Sequence, residues 1–121
     1  LARTDEALAA NPDILVVNGG TNDLARSVPL PMIIENLRAI LDRAHDIDTV
    51  VIATVPSSRK VSADDLNDDI RALAAERGIP VAEFAPLLDR PGATFDGVHP
   101  TARTAARMAA EVAAVVGVRA T

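Results

Sequence analysis

The sequence predicts an α/β fold, with a small parallel sheet of about three strands enclosed in a three-layer α/β/α arrangement. Three observations carry that expectation. Short, uninterrupted apolar runs recur along the chain, as strands buried on both faces require. Segments with apolar residues at helical spacing stand between them. Proline, glycine or asparagine marks most of the joins.

Each element has its own reason. Residues 4–10 read as a helix, broken by Asn11-Pro12-Asp13 because proline cannot continue it. Ile14-Leu15-Val16-Val17 is the first strand, ended by Gly19-Gly20. Residues 29–44 carry Ile33, Leu37, Ile40, Leu41 and Ala44 on one helical stripe, and Pro31 suits the first turn. Residues 50–55 form the second strand, stopped by Pro56. Ser62 is the expected N-cap of the next helix, and Asp64 and Asp65 put negative charge in its first turn. Leu66, Ile70, Leu73 and Ala74 make its stripe, and Gly78 suits its C′ position. Residues 79–84 are the third strand, which Pro80 marks as an edge. The last helix follows Pro100 and reaches about Val116, with Ala105, Met108, Ala109, Val112 and Val116 inward and Gly117 as a stop. In such sheets chemistry gathers beyond the carboxyl ends of the strands. Those ends are residues 19–23, residues 56–60 and the segment after Phe84.

Composition narrows the function. The 121 residues suit one domain, and 49% apolar with 24% charged residues is a globular balance rather than a disordered one. The absence of cysteine excludes disulfides, a CxxC redox pair and a cysteine nucleophile. A net charge of −5 without a basic cluster argues against a nucleic-acid partner. Only Phe84 and Phe95 are aromatic, which removes base-stacking platforms. No apolar run approaches the roughly 20 residues of a membrane span. The start, Leu1-Ala2-Arg3-Thr4, lacks the basic leader and apolar core of a signal peptide, and has no initiating Met. The chain therefore reads as beginning inside something longer, with the compartment open between cytoplasm and secretion. Abundant alanine, and arginine in preference to lysine, fit a GC-rich bacterial genome.

Two motifs can carry chemistry. Gly20-Thr21-Asn22-Asp23 follows the first strand directly. Glycine lets backbone approach a ligand, and an Asn amide can donate to an anionic oxygen; the same residues also serve as plain turn formers. Asp96-Gly97-Val98-His99-Pro100 precedes the last helix. Asp and His three apart can meet in one turn, the carboxylate accepting from Nδ1–H and leaving Nε2 to take a proton from a hydroxyl. Read more plainly, Asp96 caps the helix and His99 is solvated. Other candidates are weaker. Ser57 and Ser58 lie past the second strand and read as a polar loop, as does Arg59-Lys60. His45 suits a helix C-terminus, and Asp64, Asp65, Asp68 and Asp69 read as a solvated helix face without calcium-loop spacing.

Together and in this order, the two motifs resemble the SGNH hydrolase superfamily, the GDSL-type esterases and lipases. Gly20-Thr21-Asn22-Asp23 looks like that family's third block, and Asp96-Gly97-Val98-His99-Pro100-Thr101 like its fifth. Asn11-Pro12-Asp13 with its apolar strand, Leu66-Asn67 with Ile70, and the small-residue helix after His99 resemble their surroundings. Thr104 stands where members commonly carry glycine. The resemblance covers nearly the whole chain and implies the flavodoxin-like, SGNH-hydrolase version of the three-layer fold. It implies His99 as general base, Asp96 as its orienting carboxylate and Asn22 as a side-chain oxyanion donor. Gly20 and Thr21 would border the substrate, a small-molecule ester, and Asp23 would hold the loop. It implies no metal and no organic cofactor. The family's Gly-Asp-Ser nucleophile block and its second-block glycine are absent, since no Gly-Asp pair occurs in these residues. The expected protein is thus the C-terminal part of a serine esterase, residues 1–121 forming one incomplete domain. Its partner would be a missing N-terminal segment, or a second copy paired along the apolar edge of residues 14–17. The alternatives are a non-catalytic SGNH-like module that binds a ligand or partner, and a small flavodoxin-like domain without an active site.

Overall fold

In the computed structural model, which describes residues 2–10, 12–58, 61–95 and 99–117, apolar runs and helical stripes alternate as the sequence implies. Helix α1 (Ala2–Ala9) leads into strand β1 (Ile14–Val17), a short helix α2 (Thr21–Ala25) and helix α3 (Leu30–Arg43). Strand β2 (Thr49–Ala53) precedes helix α4 (Asp64–Arg77), and strand β3 (Val81–Ala82) precedes helices α5 (Ala85–Leu88) and α6 (Ala102–Val116). The three strands are parallel in the order β1-β2-β3, with Ile14 beside Thr49, Val17 beside Ile52, and Ile52 beside Val81.

The central strand divides the core, because successive strand residues face opposite ways. Ile52 joins Val17, Ile33, Leu37, Leu66, Ile70 and Leu73 under α3 and α4. Val51 and Ala53 join Ala82 and Phe84 on the other side, where Met108, Val112, Val115 and Val116 of α6 cover them. The result is the three-layer α/β/α architecture expected from the alternation.

The departures are local and have local causes. Residues 19–23 do not stay a loop: the Leu24 N–H donates to the Gly20 carbonyl at 2.9 Å, closing the first turn of α2. Ser27, at φ +60°, then turns the chain toward α3. Strand β3 is two residues long rather than six, because Pro80 has no N–H for the ladder and Phe84 already enters the turn of α5. Helix α4 has Ala63, not Ser62, as its N-cap, although the Ser62 hydroxyl accepts from the Asp64 N–H at 3.2 Å. Gly78 ends it at φ +67°, as expected. Helix α6 is turned by about one residue from its expected facing. Ala105 and Ala109 are exposed, and Thr104 is the buried member of its first turn.

Candidate active site

Three segments leave the carboxyl edge of the sheet. The first follows β1. Gly20 has φ +106°, and a Cβ there would lie 3.2 Å from Ile33 Cγ2 and 3.3 Å from Leu66 Cδ2. The position therefore needs glycine for conformation and for close packing against α3 and α4. The backbone of Thr21 and Asn22 forms the start of α2, while their side chains lie outside the described residues. The Asp23 carbonyl accepts from the Val28 N–H at 3.0 Å and closes this segment.

The second segment follows β2 and is braced by side chains. Asn67, 4% exposed on α4, accepts from the Val55 N–H at 2.8 Å and donates to the Val55 carbonyl at 2.9 Å. The amide thus does for Val55 what a neighbouring strand would do. Sequence reading met Asn67 only through the family resemblance; its signal is an amide on the buried stripe of an amphipathic helix. The Ser57 hydroxyl accepts from the Ala63 N–H at 2.8 Å, and the Ser58 hydroxyl from the Val61 N–H at 3.1 Å. Both serines are loop braces, which agrees with the plain reading of them. Arg59 and Lys60 lie outside the described residues.

The third segment follows β3. Thr54, fully buried, accepts from the Ala85 N–H at 3.0 Å. Arg71 of α4 forks onto Glu83, Nε to Oε2 at 3.0 Å and Nη2 to Oε1 at 2.9 Å, and also reaches Asp68 at 3.1 Å. That fork holds the Glu83 carboxyl below the usual carboxylate range, against partial burial, and raises the Arg71 guanidinium above its ordinary value. A polar groove of about 410 Å³ lies between α4 and α5, lined by Asp64, Asn67, Asp68, Arg71 and Asp89 among others.

Beyond α5, an antiparallel bridge joins Thr94 to Pro100. The Thr101 N–H donates to the Ala93 carbonyl at 3.0 Å, and the Thr101 hydroxyl caps α6 by accepting from the Thr104 N–H at 3.2 Å. His99 is exposed on this hairpin, its ring stacked on Phe95 with centroids 5.8 Å apart and planes 18° from parallel. Asp96, Gly97 and Val98 lie outside the described residues, and so does the expected Asp96–His99 pairing. His45 follows the C-cap of α3, its Nδ1 2.9 Å from the Asp42 carbonyl and its Nε2 3.2 Å from Asp46. Among the described residues no group of three or more His, Asp or Glu could hold a metal ion, and no helix is long and apolar enough to cross a membrane.

The geometry is that of a parallel α/β domain whose polar residues gather at the carboxyl ends of its strands. The model of the GDSL-like lipase/acylhydrolase family matches residues 1–107, and the chain belongs to that family. Its fold is shared with a lipolytic protein of the G-D-S-L family from Desulfitobacterium hafniense (TM-score 0.81, 20% identity, 94% of this chain and 71% of that one). A GDSL-like lipase from Bacteroides thetaiotaomicron gives TM-score 0.81 at 23% identity, over 96% of this chain and 68% of that one. An acetylxylan esterase from Geobacillus stearothermophilus, solved as a catalytic mutant, gives TM-score 0.76 at 20% identity, over 99% and 68%. A comparison with curated proteins found no match.

Proposed function

We propose that this chain supplies the base and part of the oxyanion hole of a serine hydrolase acting on carboxylic esters. In this reading residues 1–121 are one SGNH-type domain whose nucleophilic serine stands outside them. The serine Oγ attacks the ester carbonyl, and His99 Nε2 takes its proton. Asp96 accepts from His99 Nδ1–H and supports the imidazolium. The Asn22 amide donates to the oxyanion, with Gly20 and Thr21 bordering the substrate. His99 then returns the proton to the leaving alcohol, and water releases the acyl group by the same steps.

One observation carries the reading. In a chain whose family match spans both motifs, one follows the carboxyl end of β1 and the other lies beyond the carboxyl end of β3. The acetylxylan esterase among the structural neighbours makes acetyl esters the first substrates to try.

Hydrolysis of p-nitrophenyl acetate tests it. The 121-residue chain should turn over no faster than its His99→Ala variant, since an oxyanion site without a nucleophile leaves only residual catalysis. Adding an N-terminal fragment that carries Gly-Asp-Ser should restore turnover, and His99→Ala or Asn22→Ala should remove it again. Turnover by the chain alone that disappears in Ser57→Ala or Ser58→Ala places the nucleophile elsewhere and overturns the reading. If no fragment restores turnover while the chain binds acylated sugars, it is the non-catalytic binding module.

A further inference from the structure

The sequence holds five asparagines, and Asn18 alone is followed by glycine. Asn18 and Gly19 lie in the stretch between β1, which ends at Val17, and α2, which begins at Thr21. Asn18 is exposed, and its side-chain amide makes no hydrogen bond with the described residues. The Gly19 N–H makes none with them either. Nothing lies within 4 Å of the place a Gly19 Cβ would take, so the backbone there is uncrowded. Asn67 is the opposite case, its amide buried and bonded to both backbone groups of Val55. Asn36 lies within α3, where the helical ladder fixes the next peptide group. Backbone N–H groups in a folded chain are mostly paired. At Asn18-Gly19 the fold restrains neither the amide carbon nor the nitrogen that can attack it.

We propose that Asn18-Gly19 is a self-modification site, at which the folded chain deamidates through a cyclic imide. The Gly19 nitrogen attacks Asn18 Cγ and gives up its proton as the new C–N bond forms. The bond from Cγ to Nδ2 breaks, and ammonia leaves with that proton. Water then opens the ring. Opening at the backbone carbonyl leaves isoaspartate, with the chain running through Cγ; opening at Cγ leaves aspartate. In sum, an amide and a water become a carboxylate and ammonium. Glycine favours the first step because it has no Cβ to crowd the attacking nitrogen and its backbone turns freely. The product carries a new negative charge, and in the iso form an extra backbone carbon, just ahead of Gly20. Gly20 is itself held closely, since a Cβ there would lie 3.2 Å from Ile33 and 3.3 Å from Leu66. The change therefore falls where β1 hands the chain to α2, and it does not depend on the roles given to Asn22 and His99.

Incubating the folded 121-residue chain in heavy-oxygen water at mildly alkaline pH, followed by peptide mapping, tests this. Asn18 should take up heavy oxygen and yield both isoaspartate and aspartate, while Asn36 and Asn67 stay intact. A synthetic peptide of residues 14–23 should react at a rate similar to the folded chain. Asp96-Gly97 can form the same ring by losing water, and mapping separates its peptide. Gly19→Ala, which the open space accommodates, should remove most of the label at Asn18 with the circular dichroism unchanged. An intact Asn18 in the folded chain beside a reacting peptide overturns the proposal without any variant, because the fold then protects the site. Aspartate without isoaspartate overturns it too, since direct hydrolysis then replaces the ring. So does a Gly19→Ala chain that is labelled as fast as the wild type.

Discussion

At the scale of single residues, the hydrogen bonds of Asn67 are the most consequential. Its amide closes both backbone groups of Val55, which is fully buried. Asn67→Ala leaves two buried groups unpaired, each costing about 1–3 kcal/mol. The expected loss is about 2–6 kcal/mol, read from the urea midpoint. Glu83 gives a pH-dependent signal. Its folded-state pKa is lowered by Arg71, so its contribution is present above the usual carboxylate range and is lost as pH falls through the folded value. The stability difference between wild type and Glu83→Gln should therefore be largest near neutral pH and fade on acidification. Both side chains are partly exposed, 43% for Arg71 and 37% for Glu83, which keeps the effect below about 1 kcal/mol. A difference that grows as pH falls would contradict this sign.

At the scale of elements, legibility in the sequence followed length and periodicity. The stripes of α3 and α4 are long enough for their 3.6-residue pattern to show, and Ile33, Leu37, Leu66, Ile70 and Leu73 are buried as read. Helices α2 and α5 span barely a turn, so periodicity has nothing to act on, and the Gly, Asn and Asp of the first equally fit a loop. The sequence extends β2 through Thr54 and Val55 because both are β-branched and follow an apolar run. Val55 pairs instead with a partner distant in sequence, the Asn67 amide, which no local pattern announces. The candidate site was legible as two motifs in order, but the stacking of Phe95 on His99 was not, since no motif spacing announces a contact between those rings. The facing of α6 differs by one position from its sequence pattern because alanine fills both sides of that helix and blurs its stripe. Thr101 anchors the same helix by accepting from the Thr104 N–H. Thr101→Ala should lower stability by about 1 kcal/mol while Thr101→Ser keeps the cap, again by urea midpoint.

At the scale of the molecule, the sheet has an open side. Among the described residues no strand pairs with the outer edge of β1. Ile14 there is 41% exposed, and a cavity of about 190 Å³ lined by Ala7, Leu15, Val17 and Ile40 lies alongside. The edge carries no charge, proline or bulge of the kind that deters strand pairing. The chain should therefore self-associate, with a mass that rises with concentration in size-exclusion chromatography with light scattering. Ile14→Lys should return it to a monomer, and it is the cleaner probe because Val16 also packs toward α6. A wild type that is monomeric at every concentration would contradict the open edge.

The division of the core by β2 also sets an order of events during synthesis. Every residue of the cluster under α3 and α4 has been made once the chain reaches Val81. The opposite cluster waits for α6, the last of the described elements to leave the ribosome. Until then Val51, Ala53, Ala82 and Phe84 face water. A nascent chain paused between β3 and α6 is a two-layer intermediate with one bare face, the form of this protein most in need of a chaperone. The hairpin that carries His99 is completed in that same interval, just before the helix that covers the bare face.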